Sequence, residues 1–226
     1  MSLLPVEREL LIAFLAFLYG VVCLWTLNRS KCLQPLNHLP NIKLCHVKTG
    51  DLLLFSTSSL KHDAMKFILG SAYIHVGIAF VDRAGQHFVF EVCANGRGNQ
   101  MNWLYKRLTL GNERCIIRPI NKTLNAEKFE RVVFRLFGKP YSYEVMAPVL
   151  TTWIKHMLLP VQQREGIDRA RVCAELVADV YEMMGVFDFR LCSQSSSTLT
   201  PQDFSHKHEN LPLISGYSFG EEYILV

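Results

Sequence analysis

Tyr73-Ile74-His75-Val76-Gly77-Ile78-Ala79-Phe80-Val81, then Asp82-Arg83-Ala84-Gly85, then Gln86-His87-Phe88-Val89-Phe90-Glu91-Val92-Cys93, is the stretch that decides the fold. Isoleucine, valine and phenylalanine dominate both arms, and the four residues between them are turn formers, so the segment predicts an antiparallel hairpin. In a strand, Ile74, Val76, Ile78 and Phe80 point one way while Tyr73, His75, Gly77 and Ala79 point the other. The histidine therefore stands on a face of small residues, which leaves room for a packed helix or a substrate. On the returning arm Glu91 sits among Phe88, Phe90 and Val92. Glutamate is almost never buried without a partner, and hairpin pairing brings this one near His75.

Working outward, residues 51–56 form an apolar run after a Gly-Asp turn, and residues 114–120 read as a further strand. Between the first two strands, residues 59–69 have helical spacing, with Leu60, Ala64, Phe67 and Ile68 on one side. The second half reads as helices. Residues 125–137 place Phe129, Val132, Val133, Leu136 and Phe137 on one stripe, stopped by Gly138 and Pro140. Residues 171–184 repeat the pattern with Val172, Leu176, Val180 and Met184, ending at Gly185. Thr200-Pro201-Gln202-Asp203 is a capped helix start. Strands followed by helices predict an α+β domain with an antiparallel sheet packed on helices.

The chain has 226 residues, half of them hydrophobic, enough for one core. Part of that content lies in residues 10–27 (LLIAFLAFLYGVVCLWTL), a run without a charge. At about 1.5 Å per residue it spans roughly 27 Å, close to the hydrocarbon thickness of a bilayer. The acidic and basic flank Glu7-Arg8-Glu9 and the exit Trp25-Thr26-Leu27-Asn28 fit an uncleaved anchor rather than a signal peptide. The expected organisation is an N-terminal flank (1–9), a transmembrane helix (10–27), a stalk with Pro35 and Pro40 (28–47) and one globular domain (48–226). Arg29 and Lys31 beyond the span place that domain in the cytosol, or inside a virion membrane if the source is viral. Seven cysteines, an odd number without a CxxC, argue against a disulfide framework or a standard zinc site. His206 and His208 read as a solvated loop, so no metal or other cofactor is expected. A net charge of +4, evenly spread, predicts no nucleic-acid partner.

Nucleophilic catalysis by cysteine requires a thiolate, an imidazole and a third polar group that orients the imidazole. Cys173 falls in the first turn of a predicted helix, where unpaired backbone N–H groups favour the thiolate. His75 and Glu91 supply the other two groups. The expected geometry packs the first turn of the Cys173 helix against the small-residue face of the His75 strand.

Gly50-Asp51-Leu52-Leu53-Leu54-Phe55 and Ile74-His75-Val76-Gly77-Ile78-Ala79-Phe80 resemble the two core strand motifs of the NlpC-type papain-like superfamily. In ordinary members the cysteine helix precedes the first of these strands. Here it follows, as Val172-Cys173-Ala174-Glu175-Leu176-Val177, which resembles the C-S-E-L-V box of the circularly permuted, YiiX-like branch found in bacteria and large DNA viruses. Gly138-Lys139-Pro140-Tyr141-Ser142-Tyr143 and Thr200-Pro201-Gln202-Asp203-Phe204 resemble that branch's segments before and after the nucleophile. The resemblance covers residues 48 to about 204. It implies a permuted papain-like fold and a Cys173, His75 and Glu91 triad, with Tyr141 as an added oxyanion donor. Ala174 replaces the usual serine and Ser142 an aspartate that is common there.

The implied activity is cleavage of an amide bond in a peptide or isopeptide. A lipid acyl hydrolase or acyltransferase, as in the related lecithin retinol acyltransferase group, is the alternative, although that group's Asn-Cys-Glu-His-Phe box is not matched by Arg171-Val172-Cys173-Ala174-Glu175. A non-catalytic membrane or virion structural protein that keeps the fold is the third reading. The expected partners are therefore an acyl, peptide or lipid substrate and the membrane, with the oligomeric state open.

Overall fold

A computed structural model describes residues 20, 36, 38–57, 62–63, 66, 71–93, 98–110, 113–139, 173–191, 195–196, 199–205 and 210–226. Among these, seven strands form one open sheet: β1 (Asn41–Ile42), β2 (Leu52–Thr57), β3 (His75–Val81), β4 (His87–Cys93), β5 (Gly98–Trp103), β6 (Glu113–Arg118) and β7 (Tyr223–Leu225). Their order is β1-β7-β6-β2-β3-β4-β5, antiparallel throughout except for the parallel β1–β7 pair. Three α-helices accompany them: α1 (Leu104–Leu110), α2 (Ala126–Leu136) and α3 (Cys173–Met184). The fold is thus of the α+β class. The expected transmembrane span 10–27, most of the helix at 59–69, Tyr141, His206 and His208 lie outside the described residues. Among the described residues no helix is long and apolar enough to cross a membrane.

The hairpin forms as its composition demands. Asp82 accepts hydrogen bonds from the N–H groups of Ala84 and Gln86, and Gly85 takes the left-handed conformation (φ +75°) that closes the turn. At the head of β2, Gly50 has φ +98° and Asp51 ties two segments together, accepting from Lys48 N–H at 2.8 Å and Ile120 N–H at 3.0 Å. The Gly-Asp pair therefore acts as a structural knot between the two neighbouring strands β2 and β6. The segment read as a stalk contributes β1, and Leu36 within it is buried in the core.

Alternation divides the sheet into two apolar clusters. Leu52, Leu54, Val76, Ile78, Phe80, Phe90 and Val92 face α2 and α3 in the larger one. Leu53, Phe55, Ala79, Val89, Cys115 and Ile117 form the smaller one with Leu104 of α1. The Cys173 helix packs on the bulky face of β3, with Val76, Ile78 and Phe80, and not on the small-residue face expected for it. The reason is volume: α3 brings Ala174, Val177 and Ala178, small residues of its own that accommodate the large strand side chains. A second correction concerns Phe137. It caps α2 in an extended conformation and is 57% exposed instead of extending the buried stripe.

Candidate active site

Glu91 and His75 stand diagonally across the hairpin, a separation only a long side chain bridges. Gly77 lies between them on the same face. A β-carbon there would sit 2.6 Å from Val89 Cγ2 and 3.3 Å from Glu91 Cβ. The small residues on this face thus admit a carboxylate rather than the Cys173 helix. Glu91 reaches across the gap, and its Oε2 lies 2.7 Å from His75 Nε2. The Glu91 side chain has 0% exposure and that of His75 17%.

A buried carboxylate needs more than one donor. Glu91 Oε1 accepts from Asn102 Nδ2 at 2.8 Å and faces Arg107 Nε at 3.3 Å. Asn102 comes from β5 and Arg107 from α1, two elements the sequence reading did not predict. The Gly98–Trp103 segment GNQMNW carries no run of β-branched residues, so nothing in its composition marks a strand. The rule that a buried glutamate needs a cation does call for such a residue. It does not say which of the 24 lysines and arginines answers.

Cys173 opens α3, half-buried beside the start of β3. His75 and the backbone N–H groups of Val76 and Ala174 lie close enough to its sulfur to stabilise the thiolate. With Nε2 committed to Glu91, Nδ1 is the ring nitrogen left for the sulfur. The three residues nominated from sequence, Cys173, His75 and Glu91, are therefore neighbours, with the His75–Glu91 hydrogen bond at 2.7 Å and Cys173 beside the imidazole.

The electrostatics favour an ion pair. Burial alone would raise the Cys173 thiol, but the charge and hydrogen bond of His75, and then the Val76 and Ala174 N–H groups, hold it below the ordinary thiol range. Burial would lower His75. The neighbouring Cys173 charge and hydrogen bond, followed by those of Glu91, push it up to about 10. Burial would raise Glu91, yet the His75 hydrogen bond and charge, the Arg107 charge and the Asn102 hydrogen bond bring it down to about 2. In their ionised forms the three groups alternate in sign: thiolate, imidazolium and carboxylate. Cys115, buried on the polar side of the sheet, is pushed the other way by burial, far above the usual thiol value.

No family model matches the chain, and no curated protein does. Among solved structures, the chain is similar to the crystal structure of the metalloprotein YiiX from Escherichia coli O157:H7. The identity is 20%, the match covers 79% of this chain and 88% of that one, and the TM-score is 0.44. A superposition that loose carries no argument about the site. Among the described residues no three His, Cys, Asp or Glu side chains gather so as to hold a metal ion. A cavity of about 160 Å³ lined by Phe80, Met101, Phe129, Val133, Phe134 and Phe137 contains none of the three site residues.

Proposed function

We propose that this chain is a cysteine hydrolase of the permuted papain-like type that cleaves an amide bond, with Cys173 as nucleophile, His75 as acid and base, and Glu91 as the group that orients His75. The observation that carries the reading is the buried His75–Glu91 hydrogen bond of 2.7 Å with Cys173, at the start of α3, interacting with the same imidazole. The Cys173 thiolate attacks the acyl carbon, the C–S bond forms, and the carbonyl oxygen takes the negative charge. The backbone N–H of Cys173 helps stabilise that oxyanion, and Tyr141 is proposed as a second donor. Collapse breaks the C–N bond while the His75 imidazolium passes its proton to the departing amine, leaving a thioester and a neutral imidazole. That imidazole then takes a proton from water, which attacks the thioester, releases the acid and regenerates the thiolate–imidazolium pair. An amide suits the pair because its amine leaves only when protonated.

The test is labelling by an electrophilic acyl probe. Wild-type protein should react at Cys173 and Cys173→Ala should not. Equal labelling of Cys115 and Cys173 at mildly acidic pH would remove the case for an activated nucleophile. Membrane anchoring through residues 10–27, with the domain on the cytosolic side, is part of the same proposal and rests on the charge-free run. Asn121-Lys122-Thr123 is a glycosylation sequon with an exposed asparagine. In a eukaryotic cell Asn121 should stay bare, and a glycan there reverses the orientation.

A further inference from the structure

The groups around Glu91 come from every element packed against it: His75 on β3, Asn102 on β5, Arg107 on α1, and Glu113 with Cys115 on β6. The two carboxylate oxygens divide the work. Oε2 faces His75, and Oε1 is held by Asn102 and Arg107. Arg107 is itself held by further contacts. Its Nη1 pairs with Glu113, and its guanidinium lies over the Phe55 ring, Cζ 4.7 Å from the centroid. The Phe55 ring centre is 5.6 Å from that of His75, so one aromatic ring separates the two cations that Glu91 bridges.

We propose that Arg107 is a positioning residue of this site: with Asn102 it keeps Glu91 charged and turned toward His75 through both protonation states of the imidazole. This rests on the hydrolase reading above. When the imidazolium gives its proton to the leaving group, Glu91 loses its nearest countercharge while remaining fully buried. An isolated carboxylate there either takes up a proton or draws the imidazole's proton back, and both outcomes stall the cycle. A guanidinium stays protonated throughout, so the countercharge persists while His75 changes state. Lysine supplies the charge but cannot span Glu91, Glu113 and the Phe55 face with one planar group.

Two measurements test this, the pH dependence of Cys173 alkylation by iodoacetamide, which needs no substrate, and turnover of p-nitrophenyl acetate. Removing a cation favours every protonated neighbour, so Arg107→Gln should move both limbs of the alkylation curve to higher pH, by on the order of one unit. Turnover should fall by on the order of tenfold to a hundredfold through misplacement of His75. Arg107→Lys should return the limbs to their wild-type positions and leave turnover several-fold low. Because Arg107 acts through Glu91, the double variant Glu91→Gln/Arg107→Gln should be no slower than Glu91→Gln alone. Unmoved limbs in Arg107→Gln, or additive losses in the double variant, overturn the proposal. If Arg107→Gln does not fold, Arg107→Lys decides, and wild-type turnover there overturns it. Failure of the hydrolase reading looks different: wild-type Cys173 then alkylates with the pH dependence of an ordinary thiol, and both proposals fall.

Discussion

On one face of β3, Val76, Ile78 and Phe80 are sealed under α2 and α3. On the other, the same strand presents His75, Gly77 and Ala79 beside Glu91, with Asn102 and Arg107 behind. The first face is dry, large-residued and covered by helices of eleven and twelve residues. The second is lined with small residues, carries a fully buried carboxylate and is covered by a helix of seven. A period of two residues is enough to give one strand a stabilising face and a reactive one. The proposed site lies where they meet, since the sulfur arrives on the helix of the dry face and the imidazole points from the polar face.

Substitutions should separate the two faces. The largest effect is expected from His75→Asn, which removes the proton carrier while keeping a polar group of modest size. Acylation by the electrophilic probe should fall by about a thousandfold or more. Its stability, read from the urea midpoint, should fall by no more than about 1–3 kcal/mol, the contribution of the His75–Glu91 pair. A thousandfold is about 4 kcal/mol of barrier. Retained reactivity would show that the imidazole is not the base.

Phe129→Ala on the dry face should do the reverse. Phe129 is fully buried on α2 and stacks on Phe80 with ring centres 5.5 Å apart. Its loss should destabilise the fold by about 3–5 kcal/mol, read from the urea midpoint. Folded molecules should keep the Cys173 alkylation curve of the wild type. A shifted curve would mean that the faces are coupled more tightly than their separate clusters imply.

Gly77→Ala strikes the boundary between packing and chemistry. The new methyl meets Val89 Cγ2, the Phe90 carbonyl oxygen and Glu91 Cβ, and only the side chains among these can shift. The expected cost is about 1–3 kcal/mol of stability. Unlike Phe129→Ala it should also loosen the His75–Glu91 contact, so turnover per folded molecule falls as well. Loss of stability with unchanged turnover would separate Gly77 from the site.

The hairpin, the Gly-Asp turn before β2 and the two long helices were legible in the sequence, because each is written in local pattern: period two, turn chemistry, or helical spacing. The nomination of Cys173, His75 and Glu91 drew instead on hairpin pairing, a helix start and the family resemblance, and Asp51's tie to Ile120 was not read at all. Which face receives α3 was not legible. His75 flanked by Gly77 and Ala79 reads as a slot for a helix until the cross-strand neighbour Glu91 is seen to fill it. Asn102 and Arg107 were missed for a related reason. Their role depends on β5 and α1 folding back on β4, which polar residues such as Asn99, Gln100 and Asn102 do not announce.

The smallest expected effect tests whether Glu91 is a charged part of the polar face or only a buried one. Its carboxyl lies at about 2 in the folded chain against 4.5 as a free side chain. A depressed value means that the ionised form is favoured by folding. The stability this contributes is fully present above about 4.5 and is lost as pH falls through about 2. Much of it is shared with His75, whose charge depends in turn on Cys173, so a contribution of about 1–3 kcal/mol is expected. Urea unfolding of wild type and Glu91→Gln between pH 2 and 5 measures it. The amide carries no charge to lose, so the difference between the two proteins should shrink steadily as the pH falls. Every other carboxylate titrates in both proteins and cancels in that difference. Two stability curves that run parallel over the whole interval would mean that Glu91 is not held ionised by His75, Asn102 and Arg107, and the alternation of charge from Cys173 to Arg107 would break at its centre.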